Sequence, residues 1–424
     1  MDYAPYNDET IADDYGEPIM SQPTLIPAVQ LFSSGSEVFS SPSQELQTMK
    51  LDMASTCNIA CSYCFVDEGH ALPGPKLMSV DTVNRSISWF TENRDDLDDS
   101  LAIVMFGGEP LLNRKGVIAA CESIGALRQK GVDVKLQLIT NATLATEEIS
   151  EWLGYAEATI MVSIDGSEEV HNAKRVDHRG LPTYKKVMEG LKQLQRHVPS
   201  DRIWARATMT PGTNELEYFD ALISAGLRQI SLGYVDDTPP VSMTSEAYGN
   251  LIDEFMRRLV SLAKKGSPVD MHPISTYLSL LYGELGRGEV WPRYDCGAAT
   301  RIISVTPDGA IYPCEQAVVA RATHNWVLGS VNSGISMDAV GQFLQQTSRT
   351  HSGCTNCSSS NMCDQGCRVD STIDGSRDAC HGYESFLLVL WERLRHWYKK
   401  LAEEEPRVLI NMVDAKSYRI IRAV

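Results

Sequence analysis

Three cysteines at offsets of four and three residues, Cys57, Cys61 and Cys64, are the side chains of this 424-residue sequence best placed for chemistry. A loop with this spacing can hold three thiolates around one face of a cubane iron–sulfur cluster. Such a cluster takes four ligands, usually cysteines, so three thiolates leave one iron open to a non-protein ligand. Structural zinc sites use paired cysteines closed by a fourth Cys or His, and His70 lies near enough to serve. The spacing favours the cluster and leaves zinc as the alternative.

A second motif, Gly107-Gly108-Glu109-Pro110, follows the apolar run 101–106. Glycines let a backbone approach a ligand closely, and a proline ends the strand. Taken alone, the motif is explained equally well by an ordinary turn between a strand and a loop. Polar residues also end later apolar runs, with Asn141 after 134–140 and Asp165 at the end of 158–164.

The stretch from residue 50 to about 266 alternates short apolar runs with amphipathic segments that could position these motifs. The predicted strands are 50–53, 101–106, 134–140, 158–164, 204–209 and 229–234. The predicted helices are 79–93, 115–130, 147–155, 184–196, one capped by Asn214 and Glu217 that ends near Gly226, and 245–264. Six β/α units predict an α/β fold, a partial (β/α)6 TIM-like barrel, with its chemistry at the carboxyl ends of the strands.

The composition excludes several classes of function. The net charge is −17 and no basic patch is present, so we expect no nucleic-acid partner. No run approaches the ~20 apolar residues of a membrane span, and the acidic start lacks the pattern of a signal peptide, so the expected location is cytoplasmic. The eleven cysteines of a cytoplasmic chain indicate metal or redox chemistry rather than disulfides.

The ordered motifs resemble those of the radical S-adenosylmethionine (radical SAM) enzymes over roughly residues 50 to 235. The shared features are the three-Cys loop followed by Phe65, the Gly-Gly-Glu-Pro strand end, Thr140-Asn141, and Ser163-Ile164-Asp165-Gly166 followed by His171-Asn172 and Arg175. The resemblance implies that Cys57, Cys61 and Cys64 hold a [4Fe–4S] cluster chelated by the amino and carboxylate groups of S-adenosylmethionine. Reductive cleavage of that cofactor would give a 5′-deoxyadenosyl radical, with an electron donor such as flavodoxin or ferredoxin.

The same resemblance assigns cofactor contacts. The backbone at Gly107, Gly108 and Glu109 would hold the methionine ammonium, and Asn141 would contact the cofactor. Ser163 and Arg175 would bind the carboxylate, for which the fork of an arginine is well suited. Arg206 is a second candidate for that role, and an ion pair inside the barrel would explain it equally well.

Seven further cysteines lie between residues 296 and 380, more than one four-ligand site needs. The block resembles the SPASM domain, the extension of a radical SAM subfamily that carries two auxiliary [4Fe–4S] clusters. By that resemblance one cluster is held by Cys354, Cys357, Cys363 and Cys380, and the one nearer the barrel by Cys296, Cys314 and Cys367. Taken alone, the cysteines from 354 to 367 would also suit a zinc site.

One position departs from the sulfatase-maturing members of that subfamily. Those members carry a further cysteine where this chain has Ile302, so the nearer cluster is predicted to have an open iron, with Glu315 as an alternative ligand. Glu315 matches the position of their proposed base, and a carboxylate largely out of water would have a raised pKa. A structural carboxylate that accepts backbone hydrogen bonds is the alternative.

The predicted function is the modification of a ribosomally made peptide or protein by a radical SAM enzyme, forming a thioether or a carbon–carbon cross-link. The alternatives are a formylglycine-generating sulfatase maturase and, in another class, a non-catalytic zinc-binding α/β interaction protein. No winged-helix pattern precedes Cys57, so leader binding could reside in a separate protein, or the substrate could be recognised near its modified residue.

The predicted organisation has five parts. They are an acidic, partly disordered extension (1–49) with a possible hairpin over 29–39, the barrel (50–266), a connector with helical character (267–295), the SPASM block (296–383), and a C-terminal helix with its tail (384–424).

Overall fold

The structure is a computed structural model. It describes residues 38–39, 46–92, 101–210, 212–235, 243–287, 296–347, 367–373 and 383–413. The part of the predicted hairpin at 29–37, and the predicted disorder near the N-terminus, lie outside these residues. No helix among the described residues is both long and apolar enough to cross a membrane.

Strands in the described part form one twelve-stranded sheet and a separate two-stranded pair. The strands are β1 (Val38–Phe39), β2 (Thr48–Ala54), β3 (Ile59–Cys61), β4 (Leu101–Gly107), β5 (Val134–Thr140), β6 (Thr159–Ser163), β7 (Arg175–Asp177), β8 (Ile203–Met209), β9 (Gln229–Tyr234), β10 (Asp270–His272), β11 (Ile302–Val305), β12 (Ala310–Tyr312), β13 (Gly329–Ser330) and β14 (Gly334–Ser336).

Helices follow most of the parallel strands. They are α1 (Val80–Thr91), α2 (Arg114–Gln129), α3 (Glu147–Tyr155), α4 (Glu168–Lys174), α5 (Tyr184–His197), α6 (Glu215–Ser224), α7 (Ser245–Lys264), α8 (Ile274–Arg287), α9 (Glu315–Val319), α10 (Met337–Gln346), α11 (Arg368–Ile373), α12 (Tyr383–Glu404) and α13 (Pro406–Met412). Their starts follow local chemistry: Ser79 caps α1 by accepting from the Thr82 N–H, and Asn214 caps α6 by accepting from Leu216 N–H.

The order of the large sheet is β1-β14-β13-β12-β11-β2-β4-β5-β6-β8-β9-β10. The run from β11 to β10 is parallel throughout. From β11 outward to β1 the pairing becomes antiparallel. The predicted partial (β/α)6 barrel is confirmed, because β2, β4, β5, β6, β8 and β9 are parallel neighbours joined through helices.

The two faces of this sheet differ in polarity. Side chains that alternate along β2 and β4, such as Leu51, Met53 and Ile103, enter one apolar core with the helices. The opposite face carries Lys50 and Asp52 on β2, and both are almost fully buried. The barrel is therefore apolar towards its helices and polar on its inner face.

Register extends this polar inner face across the sheet. Ser304 pairs with Lys50, Lys50 with Val104, and Val104 with Gln137, so these side chains share one face. A second row at the far side pairs Ser163 with Arg206, Arg206 with Ser231 and Ser231 with His272. The inside of the barrel is therefore lined by groups that can bind a polar ligand, although most strands look apolar in the sequence.

Two segments outside the six-unit barrel extend the sheet. The stretch 267–295 contains β10, which pairs with β9, and its predicted helical part is α8. The predicted hairpin around Pro307-Asp308-Gly309 is β11 and β12, and β11 lies parallel to β2. The C-terminal helix α12 packs on α7, where Asp253 accepts from Arg393 (3.1 Å) and Trp397 (2.9 Å).

Candidate functional site

The loop that carries the three cysteines is pinned by a short strand pair. After β2 the chain enters β3, which pairs antiparallel with β7 and places Cys61 opposite Arg175. The Cys64 N–H donates to the Cys61 carbonyl at 3.1 Å, so the chain turns between these two thiols. Cys64 Sγ in turn accepts from the Glu68 N–H at 3.3 Å. The loop is therefore folded before any ligand is considered.

The thiols of this loop are close enough to influence one another. Burial, with contributions from Glu109 and the other two thiols, raises the pKa of Cys57 to about 12. Burial likewise raises the pKa of Cys61 to about 11, although the Arg175 guanidinium opposes the shift. Three thiolates at this place need a cationic centre to neutralise them, and metal coordination supplies one.

The separation of the thiols also bears on zinc. In a tetrahedral zinc site, bonds of about 2.3 Å to sulfur put the ligand atoms roughly 3.8 Å apart. Among the described residues, the group of three potential ligands whose donor atoms all lie within 4.8 Å of one another is the surface set Glu147, Glu151 and His197. The Cys57, Cys61 and Cys64 thiols are not such a group, and the wider spacing favours a larger cluster. His70, the proposed fourth zinc ligand, is exposed.

The glycine pair at the end of β4 fits against this loop. Gly107 has φ of +121°, and a Cβ there would lie 2.6 Å from the Ala54 carbonyl oxygen. A Cβ on Gly108 would lie 2.2 Å from the carbonyl oxygen of Thr56. The Gly108 and Glu109 N–H groups donate to these same two carbonyls, at 2.8 and 2.9 Å. The carbonyl oxygens of the motif are the groups that could accept from an ammonium, because backbone N–H groups only donate.

Glu109 joins the ends of two strands. Its carboxylate accepts from the Thr140 hydroxyl at 2.6 Å, the Asn141 N–H at 2.8 Å and the Leu111 N–H at 2.9 Å. Burial raises the pKa of Glu109, although these three hydrogen bonds act in the opposite direction. The side chain therefore holds β4 to β5, a task that the sequence did not predict for it.

Asn141, at the end of β5, reaches the cysteine loop directly. Its Nδ2 lies 3.7 Å from Cys57 Sγ and donates to Asn58 Oδ1 at 3.0 Å. Its Oδ1 accepts from the N–H and the hydroxyl of Thr143, at 3.0 and 2.6 Å. The predicted site residue is thus brought to the loop, where its amide can donate to a thiolate.

Arg175 lies in a buried polar triad with Tyr63 and Asp165. Its Nη1 donates to the Tyr63 hydroxyl oxygen at 2.7 Å, and that hydroxyl donates to the Asp165 carboxylate, which also accepts from the Thr208 N–H at 3.0 Å. Burial alone would lower the pKa of Arg175, but Tyr63, Cys61 and Asp165 raise it, so the guanidinium stays charged. Arg175 Nε is buried and has no hydrogen-bond partner among the described residues.

A chain of hydrogen bonds sets the backbone behind this triad. The Asp165 N–H lies 3.3 Å from His171 Nδ1, so Nε2 carries the proton and donates to Thr183 Oγ1 at 3.1 Å. The Thr183 hydroxyl donates to the Arg175 carbonyl at 2.6 Å. Burial, then the Arg175 charge, lowers the pKa of His171 to about 3. A neutral imidazole therefore fixes both Asp165 and Arg175.

The other two predicted contacts lie on the inner face of the barrel. Ser163 at the end of β6 is the register neighbour of Arg206 on β8. Arg206 Nη1 donates to Ser231 Oγ at 2.9 Å, and its charge, after burial, lowers the pKa of His272. Arg206 is thus part of the polar lumen, further from the cysteine loop along the sheet than Arg175.

A second group of thiols gathers beside β2. Burial raises the pKa of Cys314, and so do the charges of Glu315, Cys367 and Cys296, so these groups are near enough to influence its ionisation. Cys314 immediately precedes α9, and Cys367 immediately precedes α11. The other predicted ligands of this block, Cys354, Cys357, Cys363 and Cys380, lie outside the described residues.

The expected raised pKa of Glu315 is wrong. Burial alone would raise it, but the Lys50 ammonium, by its charge and by a direct hydrogen bond to Oε1, lowers the pKa of Glu315 below its ordinary value. Lys50 is itself nearly buried on β2. The prediction failed because the partner, Lys50, lies 265 residues away in the sequence. No local pattern around Cys314 indicates that the two side chains meet. Whether Glu315 acts as a base stays a prediction.

Several residues of this site were missed from the sequence. Tyr63 and Asp165 stood inside recognised motifs but carried no assigned role. Lys50 and Asp52 could have been recognised from the sequence. They alternate with apolar residues on a strand, and charged residues are almost never fully buried unless they are paired.

The chain is similar to known proteins over most of its length. The radical SAM superfamily model matches residues 52–225. The cysteine-type anaerobic sulfatase-maturating enzyme of Clostridium perfringens is 22% identical over 379 residues, which cover 80% of this chain and 95% of that protein.

Two solved structures share the fold. Native anSMEcpe with bound AdoMet and Cp18Cys peptide has a TM-score of 0.63 at 20% identity, covering 84% of this chain and 99% of that one. Streptococcus suis SuiB bound to its precursor peptide SuiA has a TM-score of 0.52 at 14% identity, covering 80% of this chain and 75% of that one. Together with the motifs in place at the strand ends, the family match identifies residues 52–225 as a radical SAM domain.

Proposed function

We propose that this enzyme modifies a side chain of a ribosomally made peptide or protein. One observation carries the proposal. The loop with Cys57, Cys61 and Cys64 lies against the backbone of Gly107-Gly108 and beside the charged Arg175, at the carboxyl ends of parallel strands. When bound there, a [4Fe–4S] cluster with S-adenosylmethionine supplies a 5′-deoxyadenosyl radical that removes a hydrogen atom from a substrate.

The donor groups present fit these two cofactors. Three half-buried thiols suit the ligands of an iron cluster, and burial opposes the ionisation of Cys57 and Cys61. Arg175 keeps a buried Nε that lacks a partner among the described residues, which suits a carboxylate. Ser163 and the carbonyl oxygens of Gly107 and Gly108 are the proposed further contacts.

The chain's own residues orient the cofactors and exclude water. Asn141 donates towards Cys57, which stabilises a thiolate there. Glu109 holds the ends of β4 and β5 together through three hydrogen bonds. Tyr63 and Asp165 fix the direction of the Arg175 guanidinium.

A peptide substrate is supported by the relatives and by the lumen. One solved neighbour is bound to the Cp18Cys peptide and another to the precursor peptide SuiA. In this chain the inner face of the barrel carries polar side chains from β11 to β10, which can hydrogen-bond to a peptide. An electron donor such as flavodoxin or ferredoxin, and a separate leader-binding protein, belong to this proposal as partners.

The C-terminal cysteines are proposed to hold two auxiliary [4Fe–4S] clusters. The charges of Cys296 and Cys367 raise the pKa of Cys314, which supports their assignment to one ligand set. Cys354, Cys357, Cys363 and Cys380 form the other set by sequence. At the position where sulfatase-maturing relatives have a further cysteine, Ile302 begins β11 and pairs with Thr48, so three thiolates would serve the nearer cluster.

The proposed product is a thioether or carbon–carbon cross-link. The missing thiol at position 302 supports it, because an iron with an open position can bind a substrate thiolate. Formylglycine is the second candidate, favoured by the likeness to the sulfatase-maturating enzyme over 95% of its length. A cross-link retains the sulfur of the modified cysteine, whereas conversion of cysteine to formylglycine removes it.

The test begins with the cofactors. Protein purified without oxygen should be brown and contain about twelve iron atoms per chain if three cubanes are present. With S-adenosylmethionine and a reductant it should release 5′-deoxyadenosine, and a variant with Cys57, Cys61 and Cys64 all changed to Ala should release none. Continued release by that variant would contradict the assignment, and a colourless zinc protein would favour the interaction-protein alternative.

The product test follows from the same preparation. Small peptides encoded beside this gene should be co-expressed with it and examined by mass spectrometry. A modified peptide that has lost two hydrogen atoms, kept its sulfur and does not react with a hydrazide supports the cross-link. Loss of the cysteine sulfur, or a hydrazide-reactive aldehyde at a former serine, supports formylglycine.

A further inference from the structure

Asp52 is a buried carboxylate without a partner in the part of the chain described. It is fully buried, and neither of its carboxylate oxygens has a hydrogen-bond partner there. Buried polar groups in native proteins are nearly always paired, because an unmet one costs free energy. An unpaired carboxylate on the inner face of a barrel therefore indicates a missing donor.

The nearby charges show what kind of donor is missing. Asp52 and Lys50 lie two residues apart on the same face of β2, and Lys50 is hydrogen-bonded to Glu315. Two carboxylates thus share one ammonium. Burial and then the Glu315 charge raise the pKa of Asp52 to about 8, which Lys50 only partly offsets. The free protein stabilises the Asp52 charge poorly, and a cationic guest would supply what is lacking.

The other neighbours of Asp52 are aromatic. Its register neighbour on β4 is Phe106, which stacks on Phe65 with ring centroids 6.0 Å apart. Tyr312 on β12 pairs with Ser304, and Ser304 pairs with Lys50, so Tyr312 shares the inner face that carries Asp52. A carboxylate beside aromatic rings suits a cation that is also partly apolar, since ring faces attract cations.

We propose that Asp52, with Glu315 beside it, binds a cationic side chain of the peptide substrate, an arginine or a lysine near the residue that is modified. The inference rests on the proposed function, since it specifies the substrate of the same site. Phe106 and Tyr312 would contact the apolar part of that side chain. The competing explanation is an ordered water molecule that satisfies Asp52 structurally.

The test uses the full-length, cluster-containing protein and two probes, N-acetyl-L-arginine methylamide and its neutral isostere N-acetyl-L-citrulline methylamide. Calorimetry should show the arginine probe binding at least about tenfold more tightly, since a charge-assisted hydrogen bond is lost with citrulline. Asp52→Asn should bring the arginine probe down to the affinity of the citrulline probe.

A matched control is Asp253→Asn, which removes a carboxylate on α7 that accepts from Arg393 and Trp397 of α12. It should keep the preference for arginine and lower the thermal midpoint. Asp52→Asn should instead raise the midpoint of the free protein at pH 9, above the pKa of about 8, because it then removes an unpaired charge. A lower midpoint for Asp52→Asn, or unchanged binding of the arginine probe by it, overturns the proposal.

The experiment still decides if a variant fails to fold or if the proposed function is wrong. If Asp52→Asn does not fold, the wild-type protein still decides, because equal affinity for the two probes overturns the proposal. Release of 5′-deoxyadenosine by the same preparation, measured without peptide, reports on the proposed function separately, since binding of the probes requires no turnover.

Discussion

At the scale of single residues, the site depends on groups that must stay in one protonation state. His171 is the clearest example, because one ring nitrogen accepts from the Asp165 backbone and the other donates to Thr183. A second proton on the ring would remove the acceptor and place a positive charge near Arg175. The imidazole therefore acts as a neutral spacer that positions the two residues.

The pH dependence of stability should reveal this role. The pKa of His171 is lowered from 6.5 to about 3 by burial and by Arg175, so the unfolded chain binds more protons between these values. Its contribution to stability is therefore complete above about pH 6.5 and is lost as the pH falls towards 3. His171→Gln should flatten the pH dependence of the urea midpoint between pH 7.5 and 5.

The control for that substitution is His396→Gln on the exposed side of α12. If the urea midpoint depends on pH in the same way in the wild-type and His171→Gln proteins, the buried imidazole is not the group that causes this pH dependence.

At the scale of elements, the cysteine loop is held by contacts that leave no room for adjustment. On one side β3 pairs with β7, and on the other the Gly107-Gly108 backbone closes on the loop. A Cβ on Gly108 would meet the Thr56 carbonyl oxygen at 2.2 Å, which is backbone and cannot rotate away. The loop and the end of β4 must therefore fit as one unit.

Gly108→Ala should displace the loop and prevent assembly of the first cluster. We expect a loss of about four iron atoms per chain, with the 5′-deoxyadenosine activity lost as well. Iron analysis of the purified protein measures this directly. Gly341→Ala is the matched control, because nothing lies within 4 Å of the added Cβ and alanine favours the helix. A fully loaded Gly108→Ala protein would contradict the steric argument.

At the scale of the whole molecule, the predicted SPASM segment is joined to the barrel through β11 and β2. These strands are parallel neighbours, and Lys50 on β2 pairs with Glu315, which begins α9 directly after Cys314. Cys314 thus lies beside the strand that leads into the three-cysteine loop.

The Lys50–Glu315 ion pair should stabilise the fold only while both charges are present. Lys50→Met leaves a largely buried carboxylate without its partner and should lower the free energy of unfolding by about 3 kcal/mol. The double variant Lys50→Met, Glu315→Gln should recover most of this loss in urea unfolding, because no charge is then left unpaired. The exposed pair Arg85–Asp81 is the comparison, where Arg85→Met should cost less than about 1 kcal/mol.

An additive double variant, with each substitution costing stability independently, would rule out a coupled pair. The single variant Glu315→Gln would then owe its effect to contacts other than Lys50.

Much of the fold was predictable because its signals are local. The predicted bounds of the strand 134–140 and the helix 245–264 agree with β5 and α7, since periodicity and capping residues act within one element. Asn141 follows β5, and the parallel sheet brings it to the three-cysteine loop, whereas Arg175 reaches the loop through the antiparallel pair of β7 with β3. Strand β10 was missed because a three-residue strand carries almost no periodic signal.

The sequence by itself determined the residue types, their order along the chain and the strand ends at which they stand. Only the tertiary structure decided which charges meet: Lys50 with Glu315, Arg175 with Tyr63 and Asp165, and Asp52 with no partner among the described residues. The physical reason is that periodicity encodes short-range structure, whereas the pKa of a buried group depends on burial and on charges brought close by strand register. The three-cysteine loop could therefore be read from the sequence, and the chemistry of the lumen around it could not.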